Sequence, residues 1–179
     1  MTDAIDTLNN TTIYGNTSNA STADIALAVG IEAMNTYEDK VNQYYKMVHM
    51  ENIQMQNLNN AMELAQSQTN VSSATSSQQT FKYTDPETGA TSDMKFKDFL
   101  AAQDIPYPTD PDNKFSKDEW NTVLANCKSA SDSISSNNQV DMMKLQSVLN
   151  KSNQMSSMTS DIMSKENTAA MGIIGNMGH

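Results

Sequence analysis

The chain has 179 residues, enough for one domain with extended arms, and only 37% of them are hydrophobic. Its net charge is −10, with 11 lysines and no arginine, which argues against nucleic acid and against anionic membranes as partners. A single cysteine excludes an internal disulfide, and no apolar run is long enough to predict a membrane span. The 14 methionines, set among few aromatic residues, predict a thin and adaptable apolar seam.

The N-terminal segment, residues 1–22, is rich in Thr, Asn and Ser. Low hydrophobicity of this kind is typical of a disordered tail. The segment lacks a basic start followed by an apolar run, so we do not expect a cleaved export signal of the usual kind. An uncleaved export address is the alternative interpretation of the same residues.

A first long helix is predicted over residues 23–68. Apolar residues recur there in alternating steps of three and four, which places them on one stripe and is typical of a coiled coil. Only Glu51 interrupts the series. The stripe consists of Met34, Tyr37, Val41, Tyr44, Val48, Met55, Leu58, Met62 and Ala65.

The start of this helix also has local signals. Ser21 or Thr22 can cap the N-terminus, and Asp24 suits the positive end of the helix dipole. Gly30, one turn and a half further on, is expected to be a weak point because glycine disfavours a helix interior.

An insert, residues 69–115, is predicted to be small, irregular and exposed. Pro86 and Gly89 mark a turn between two short alternating runs, which indicates a β-hairpin. In chain order we expect a flexible Ser-rich linker, this hairpin, a short helix and a proline-rich connector, over residues 66–80, 81–94, 96–103 and 105–111.

A second long helix is predicted over residues 116–179. Ser116 and Glu119 have the spacing of a capping box, and Phe115 and Trp120 that of a hydrophobic staple. The apolar stripe consists of Trp120, Val123, Leu124, Cys127, Ile134, Met142, Leu145, Val148, Leu149, Met155, Ile162 and Ile173.

Polar residues fall on or beside this second stripe, among them Ser131, Asn138 and Ser152. Buried polar groups weaken a helix seam but fix its register and partner choice. The breaks at Glu51 and Asn138 suggest that the two stripes match each other only incompletely, which would leave apolar surface for other subunits.

Candidate catalytic and metal-binding residues are few. His49 and His179 have no second ligand nearby in sequence, and a Cys127–His49 catalytic pair has no further support, so Cys127 is interpreted as core. The acidic residues from Asp110 to Glu119 lack the glycine of a calcium loop and are interpreted as the turn before the helix. We therefore predict no enzyme activity, no cofactor and no metal.

Tyrosines and paired methionines on the stripes could suggest a ligand cage or a soft-metal site. Tyr37 and Tyr44 lie a heptad apart, and Met155 and Met158 lie at helical spacing. Side chains at such spacing are more simply explained by helix packing.

The order of a polar start, a long helix, a small insert and a long capped Gln/Ser/Met-rich helix resembles the type III secretion translocator-filament family of the EspA/SseB kind. The segments that carry the resemblance are Lys114–Leu124, Ser131–Asp132 and Asn138–Gln146, together with the short-helix segment Phe96–Ile105. The likeness covers roughly residues 31–170.

The resemblance implies an all-α fold, a long two-helix coiled-coil hairpin with a small irregular α/β insert. It also implies a secreted subunit that polymerises through its terminal helices into an extracellular filament or needle-tip assembly, through which effectors pass. The implied partners are further copies of the chain, a cognate secretion chaperone, and the needle and pore-forming translocator proteins. Residues 1–22 would then be the export address.

The residues predicted to form the self-assembly seam are shared between the two helices. They are Val41, Tyr44, Val48, Met55 and Leu58 on the first helix, and Trp120, Leu124, Leu145, Val148, Leu149 and Met155 on the second. The alternative function is a cytoplasmic secretion chaperone or adaptor that binds partner helices.

Overall fold

Two long helices flank a small insert in the computed structural model, which describes residues 21–109 and 111–177, with side chains as far as residue 174. The mostly helical fold with a small α/β insert is thereby confirmed. The predicted tail lies almost entirely outside the described residues, as does His179. In chain order the elements are α1 Thr22–Thr69, β1 Thr75–Ser76, β2 Thr80–Thr84, β3 Thr91–Lys95, α2 Phe96–Ala102, β4 Lys114–Phe115 and α3 Lys117–Met177.

Both long helices begin with reciprocal capping. At α3, the Ser116 N–H donates to Glu119 Oε2 at 2.8 Å, and the Glu119 N–H donates to Ser116 Oγ at 3.4 Å, which is the predicted capping box. At α1, the Ser21 N–H donates to Asp24 Oδ2 at 2.8 Å, and Ser21 Oγ accepts from the Asp24 N–H at 3.1 Å. Ser21 is therefore the cap, and the side chain of Asp24 completes it.

The chain divides into two compact units, residues 45–143 and residues 1–44 with 144–179. We call the first the insert unit and the second the terminal unit. Each unit contains part of both long helices.

Inside the insert unit, two small antiparallel sheets follow the predicted hairpin and link the ends of the insert. Strands β2 and β3 pair from Thr80 opposite Lys95 to Thr84 opposite Thr91, and β1 pairs with β4. The turn uses Gly89 at a φ of +71°, a conformation that favours glycine. Hydrogen bonds from the Thr88 backbone and hydroxyl, then from the Glu87 N–H, lower the pKa of Asp85 in this turn.

The core of the insert unit lies where the insert packs on the two long helices. Trp120 is fully buried between Phe96 and Phe115, at ring-centroid distances of 5.0 and 5.1 Å. The twelve buried core residues are Leu58, Ala61, Ala65, Phe81, Phe96, Phe99, Leu100, Ile105, Phe115, Trp120, Val123 and Cys127. The Phe115–Trp120 contact also satisfies the predicted hydrophobic staple.

The apolar side of the insert therefore differs from the exposed insert expected from sequence. Phe81, Phe96, Phe99 and Leu100 are each less than a tenth exposed. The physical reason is that these short elements carry large aromatic groups, whose burial against α1 and α3 removes apolar surface from water. The exposed surface of the insert's described residues is mainly polar, with Val71 and Tyr107 as its exposed large hydrophobic side chains.

The Ser-rich segment after α1 is also more ordered than the flexible linker expected there. It contains β1, and Ser77 is fully buried with its N–H donating to the Asn113 carbonyl at 3.0 Å. Trp120 Nε1 donates to Thr75 Oγ1 at 2.7 Å. These contacts fix the segment through backbone and hydroxyl groups rather than through apolar side chains, so hydropathy alone gave no sign of them.

Asparagine side chains tie the insert to the helices. Asn57 is 1% exposed, its Nδ2 donates to the Thr84 carbonyl at 2.7 Å, and its Oδ1 accepts from the Thr84 N–H at 2.8 Å. Asn60 Nδ2 donates to the Lys82 carbonyl, and Asn126 Nδ2 donates to the Pro106 carbonyl. Part of the Asn-rich character of the helices is therefore explained by docking of the insert.

Candidate association surface

The buried positions of α1 follow the predicted stripe closely. From Leu27 to Thr69, alternating steps of three and four reach a buried or half-buried residue at every position. Glu51 is half-buried, so the burial series continues through the predicted break. The predicted seam residues Val41, Tyr44, Val48, Met55 and Leu58 all lie in this series.

The same stepping describes α3 from Trp120 to Glu166. Five of the six predicted seam residues on this helix are members and are at least half-buried: Trp120, Leu124, Leu145, Val148 and Met155. Leu149 is the exception, with 40% of its surface exposed. Because Val148 occupies the seam and successive helical residues are about 100° apart, Leu149 points away from it.

The polar residues Glu51 and Asn138 meet within the insert unit. Asn138 Nδ2 donates to Glu51 Oε2 at 3.2 Å, and it also lies 3.4 Å from the Val48 carbonyl and from Asn52 Oδ1. The interpretation that these residues mark an incomplete match between the helices is therefore wrong. Each polar residue supplies what the other needs, because an amide donor faces a carboxylate acceptor.

In the terminal unit, the helices approach closely through a glycine. A Cβ placed on Gly30 would lie 2.6 Å from Thr159 Oγ1, and that buried hydroxyl has no hydrogen-bond partner among the described residues. Gly30, expected to be a weak point, is therefore a packing position. Further along the unit, Lys144 Nζ lies 5.8 Å from the centre of the Tyr44 ring. Gly30 thus contacts the later residue Thr159, and Tyr44 contacts the earlier residue Lys144, so the two helices run antiparallel.

The terminal unit buries few large apolar side chains. Among its described residues, the buried hydrophobic ones are Leu27 and Leu145, each 9% exposed. Two further positions of the α3 seam in this unit are occupied by the polar residues Ser152 and Thr159. Each fully buried Leu contributes about 1.5–3 kcal/mol. The stabilisation available inside this unit is therefore modest compared with the twelve-residue core of the insert unit.

Large apolar side chains are instead exposed along both long helices. Of the 16 exposed large hydrophobic residues in the described part of the chain, all but Val71 and Tyr107 lie on α1 or α3. We call these 14 the outer apolar residues. They are Ile25, Val29, Ile31, Tyr45 and Met47 on α1, and Val140, Met142, Met143, Leu149, Met158, Met163, Met171, Ile173 and Ile174 on α3.

Part of this outer set is regularly spaced. Met142, Leu149 and Met163 each follow a seam residue by one position and are separated by multiples of seven residues. They therefore share one flank of α3. Sequence reasoning found only Leu149 as an assembly residue in this set and placed it in the seam, because an apolar residue beside a stripe looks much like a member of it.

The cysteine and the histidine considered for chemistry have surroundings that are better explained by packing than by catalysis. Burial raises the pKa of the Cys127 thiol to about 11, the opposite of an activated nucleophile. His49 is exposed and stacks on Tyr45 with ring centroids 6.4 Å apart. An open depression of about 500 Å³, lined by Met62 and Leu124 among others, contains Glu63 as its one titratable side chain.

No set of three or more His, Cys, Asp or Glu side chains is grouped for metal binding within residues 21–109 and 111–177. Asp110, part of the acidic stretch considered for calcium, lies outside the described residues. No helix in the described part of the chain combines the length and apolar character needed to cross a bilayer.

Comparison with protein-family models, with curated proteins and with solved structures found no match to this chain.

Proposed function

We propose that the chain is a secreted structural subunit that polymerises through its long helices into an extracellular type III secretion filament or needle-tip assembly conducting effectors. The role is structural and includes no catalytic step. The observation that carries the proposal is the set of 14 outer apolar residues on α1 and α3. The resemblance to translocator-filament proteins supplies the type of assembly.

The energetic case depends on the number of side chains available. Association costs an estimated 4–15 kcal/mol before any contact is gained. A fully buried Leu, Ile or Met returns about 1.5–3 kcal/mol, so one contact needs several such groups at once. Isolated exposed hydrophobic residues are ordinary on protein surfaces, but repeated ones on one helix flank, such as Met142, Leu149 and Met163, can be covered by a single partner helix.

The finer fold implied by this function is a coiled coil. The alternating steps of three and four on both helices support it, because that spacing keeps one stripe facing a partner helix. In the assembly, the seam residues would hold the chain's own two helices together. The outer apolar residues would form a second layer of contacts with neighbouring subunits.

The partners follow from the same arrangement. We propose self-association as the main interaction, with a cognate chaperone covering the outer apolar residues before export and with needle and pore-forming translocator proteins at the ends of the assembly. A net charge of −10 disfavours nucleic acid. Residues 1–22 are proposed as the export address.

Assembly of purified protein tests this proposal. The double substitution Leu149→Asp and Met163→Asp places two charges on the outer flank, two heptads apart. The matched control is Asn150→Asp with Ser164→Asp, which adds the same charge at the same separation on exposed polar positions about 100° further round the helix. We expect sedimentation velocity to show polymers for the wild type and the control, and mainly monomers for the flank variant.

If the flank variant assembles as well as the control does, the outer apolar residues are not the assembly surface. A secretion assay then separates the two functions. A filament subunit should appear in the medium and should lose export when residues 1–21 are deleted. A cytoplasmic chaperone or adaptor would stay in the cell whether or not those residues are present.

A further inference from the structure

The exposed sulfur atoms of the described residues all belong to methionine, because the one cysteine is buried. Twelve of the 14 methionines have side chains that the structure describes, and half of these are exposed. The exposed ones are 39–65% accessible to solvent. They are Met47, Met142, Met143, Met158, Met163 and Met171.

The remaining described methionines and the cysteine are protected. Met34, Met50, Met55, Met62, Met94 and Met155 are half-buried. The Cys127 side chain is fully buried, and its raised pKa keeps the thiol protonated near neutral pH. Because oxidation of a thiol proceeds through the exposed thiolate, the sulfur available to an oxidant is mainly thioether. Among the described side chains, the exposed thioethers lie on α1 and α3.

We propose that the six exposed methionines are modification sites for oxidants of the peroxide class, and that their conversion to sulfoxide weakens self-association of the chain. The second part of this inference rests on the proposed function, because these six residues belong to the outer apolar set. The first part concerns the free chain and stands without it.

The chemical step is an oxygen transfer. The methionine sulfur attacks one peroxide oxygen with a lone pair, the O–O bond breaks, and an S–O bond forms. Sulfur is oxidised by two electrons, the peroxide is reduced, and its second oxygen leaves as water after taking up the transferred proton. The product carries a strongly polar S–O group in place of an apolar thioether.

The expected consequence follows from desolvation. Burying a polar group without a hydrogen-bond partner costs free energy, whereas burying a thioether releases it. Six such changes on the helix surfaces oppose association at every contact that covers them. The core is spared, because Trp120, Phe96 and the other residues around Cys127 contain no exposed sulfur.

The test uses limited treatment of the full-length chain with hydrogen peroxide, followed by peptide mapping by mass spectrometry and by sedimentation velocity. We expect sulfoxide to appear on the six exposed methionines well before the six half-buried ones. We expect the concentration needed for assembly to rise at least about tenfold. Reduction of the sulfoxides by methionine sulfoxide reductases should return this concentration to that of the untreated chain.

Two matched variants identify the sites that matter. One changes the six exposed methionines to Leu, and the other changes the six half-buried ones to Leu. Met and Leu have similar volumes and the exchange is usually tolerated. The first variant should assemble like the wild type and resist peroxide, and the second should remain peroxide-sensitive. Circular dichroism before and after treatment checks that the helices persist.

Three results would overturn the inference. Oxidation that spreads evenly over both methionine sets contradicts the assigned sites. Assembly that survives full oxidation of the six exposed methionines contradicts the claim that their oxidation weakens self-association. The same claim is contradicted if peroxide still blocks assembly of the variant in which these six residues are Leu. If the untreated chain does not assemble at all, the proposed function fails and the consequence with it, while the peptide map still decides the assigned sites.

Discussion

Asn138 on α3 donates a hydrogen bond to the carboxylate of Glu51 on α1 at 3.2 Å, so the polar residue of each stripe lies opposite that of the other. The amide also lies within 3.4 Å of the Val48 carbonyl. With Asn52 Oδ1, also at 3.4 Å, a single amide group thus faces three acceptors of the other helix. The intramolecular seam of the insert unit is therefore matched in its polar as well as its apolar positions at this point.

Replacing Asn138 with Leu should destabilise the chain, and replacing both partners should not. The single substitution removes one hydrogen-bond donor from the half-buried carboxylate of Glu51 and should cost about 1–2 kcal/mol. Adding Glu51→Leu replaces the polar pair by apolar groups and should return stability to the wild-type level or above, with looser register. Urea unfolding measures both, with the exposed Asn137→Leu as control. A double variant less stable than either single one contradicts the assigned pair.

The close approach at Gly30 predicts opposite effects of alanine at two helical glycines. A new Cβ at Gly30 would meet Thr159 Oγ1 at 2.6 Å, whereas a Cβ at Gly172 meets nothing within 4 Å. Gly172→Ala should therefore stabilise by about 0.5–1 kcal/mol through helix propensity. Gly30→Ala should destabilise by about 1–3 kcal/mol through overpacking.

Thermal unfolding followed by circular dichroism gives the sign of each change. Adding Thr159→Ala to Gly30→Ala removes the clashing hydroxyl and should recover most of the loss, because it also removes a buried group that has no partner among the described residues. If alanine at Gly30 stabilises as much as it does at Gly172, the helices of the terminal unit do not approach at this residue.

Asn57 should be the most sensitive of the asparagines that hold the insert. Its buried amide satisfies both the N–H and the carbonyl of Thr84. Asn57→Ala leaves these two backbone groups without that partner and opens a small cavity, so we expect a loss of about 2–4 kcal/mol. Asn60→Ala removes a single hydrogen bond, which is more exposed to solvent than those of Asn57, and should cost about 0.5–1.5 kcal/mol. Equal effects of the two substitutions in urea unfolding would contradict the docking role of Asn57.

The sequence predicted the features that depend on local signals. The bounds of both long helices are correct to within a residue or two in their described parts, and the Ser116–Glu119 cap and the hairpin turn at Gly89 are present as expected. These features depend on side chains three or four positions apart, or on one residue's backbone preference. They can therefore be recognised without knowledge of the tertiary fold.

Features that depend on distant residues could not be predicted in the same way. The Gly30–Thr159 approach and the Asn57–Thr84 bonds join residues 129 and 27 positions apart, so no local pattern signals them. The buried aromatic groups of the insert come from elements of two to seven residues, too short to show a period. Leu149 was misplaced because a one-residue offset on a helix changes the face but hardly changes the hydrophobic pattern.

The buried thiol of Cys127 predicts slow labelling of the native chain. Its pKa is raised to about 11 by burial, so very little thiolate is present at about pH 8 and access is blocked as well. We expect iodoacetamide to react with Cys127 only as the insert unit unfolds, with rates that follow urea concentration. Burial disfavours ionisation of this thiol in the folded state but not in the unfolded state. The contribution of the protonated thiol to the free energy of unfolding should therefore be fully present below pH 9.0, the ordinary thiol pKa, and should be lost as the pH rises toward 11. Fast labelling in native buffer would contradict the burial.

Electron microscopy of the purified chain tests its proposed assembly most directly. Negative-stain images should be recorded at about 0.1 M and about 1 M salt, where the Debye length falls from about 10 Å to about 3 Å. Subunits with a charge of −10 repel one another, so screening should favour association through the outer apolar residues. We predict filaments that are longer and more numerous at high salt. Uniform single particles at both salt concentrations, at protein concentrations where sedimentation also shows only monomer, would contradict self-assembly as the function of this chain.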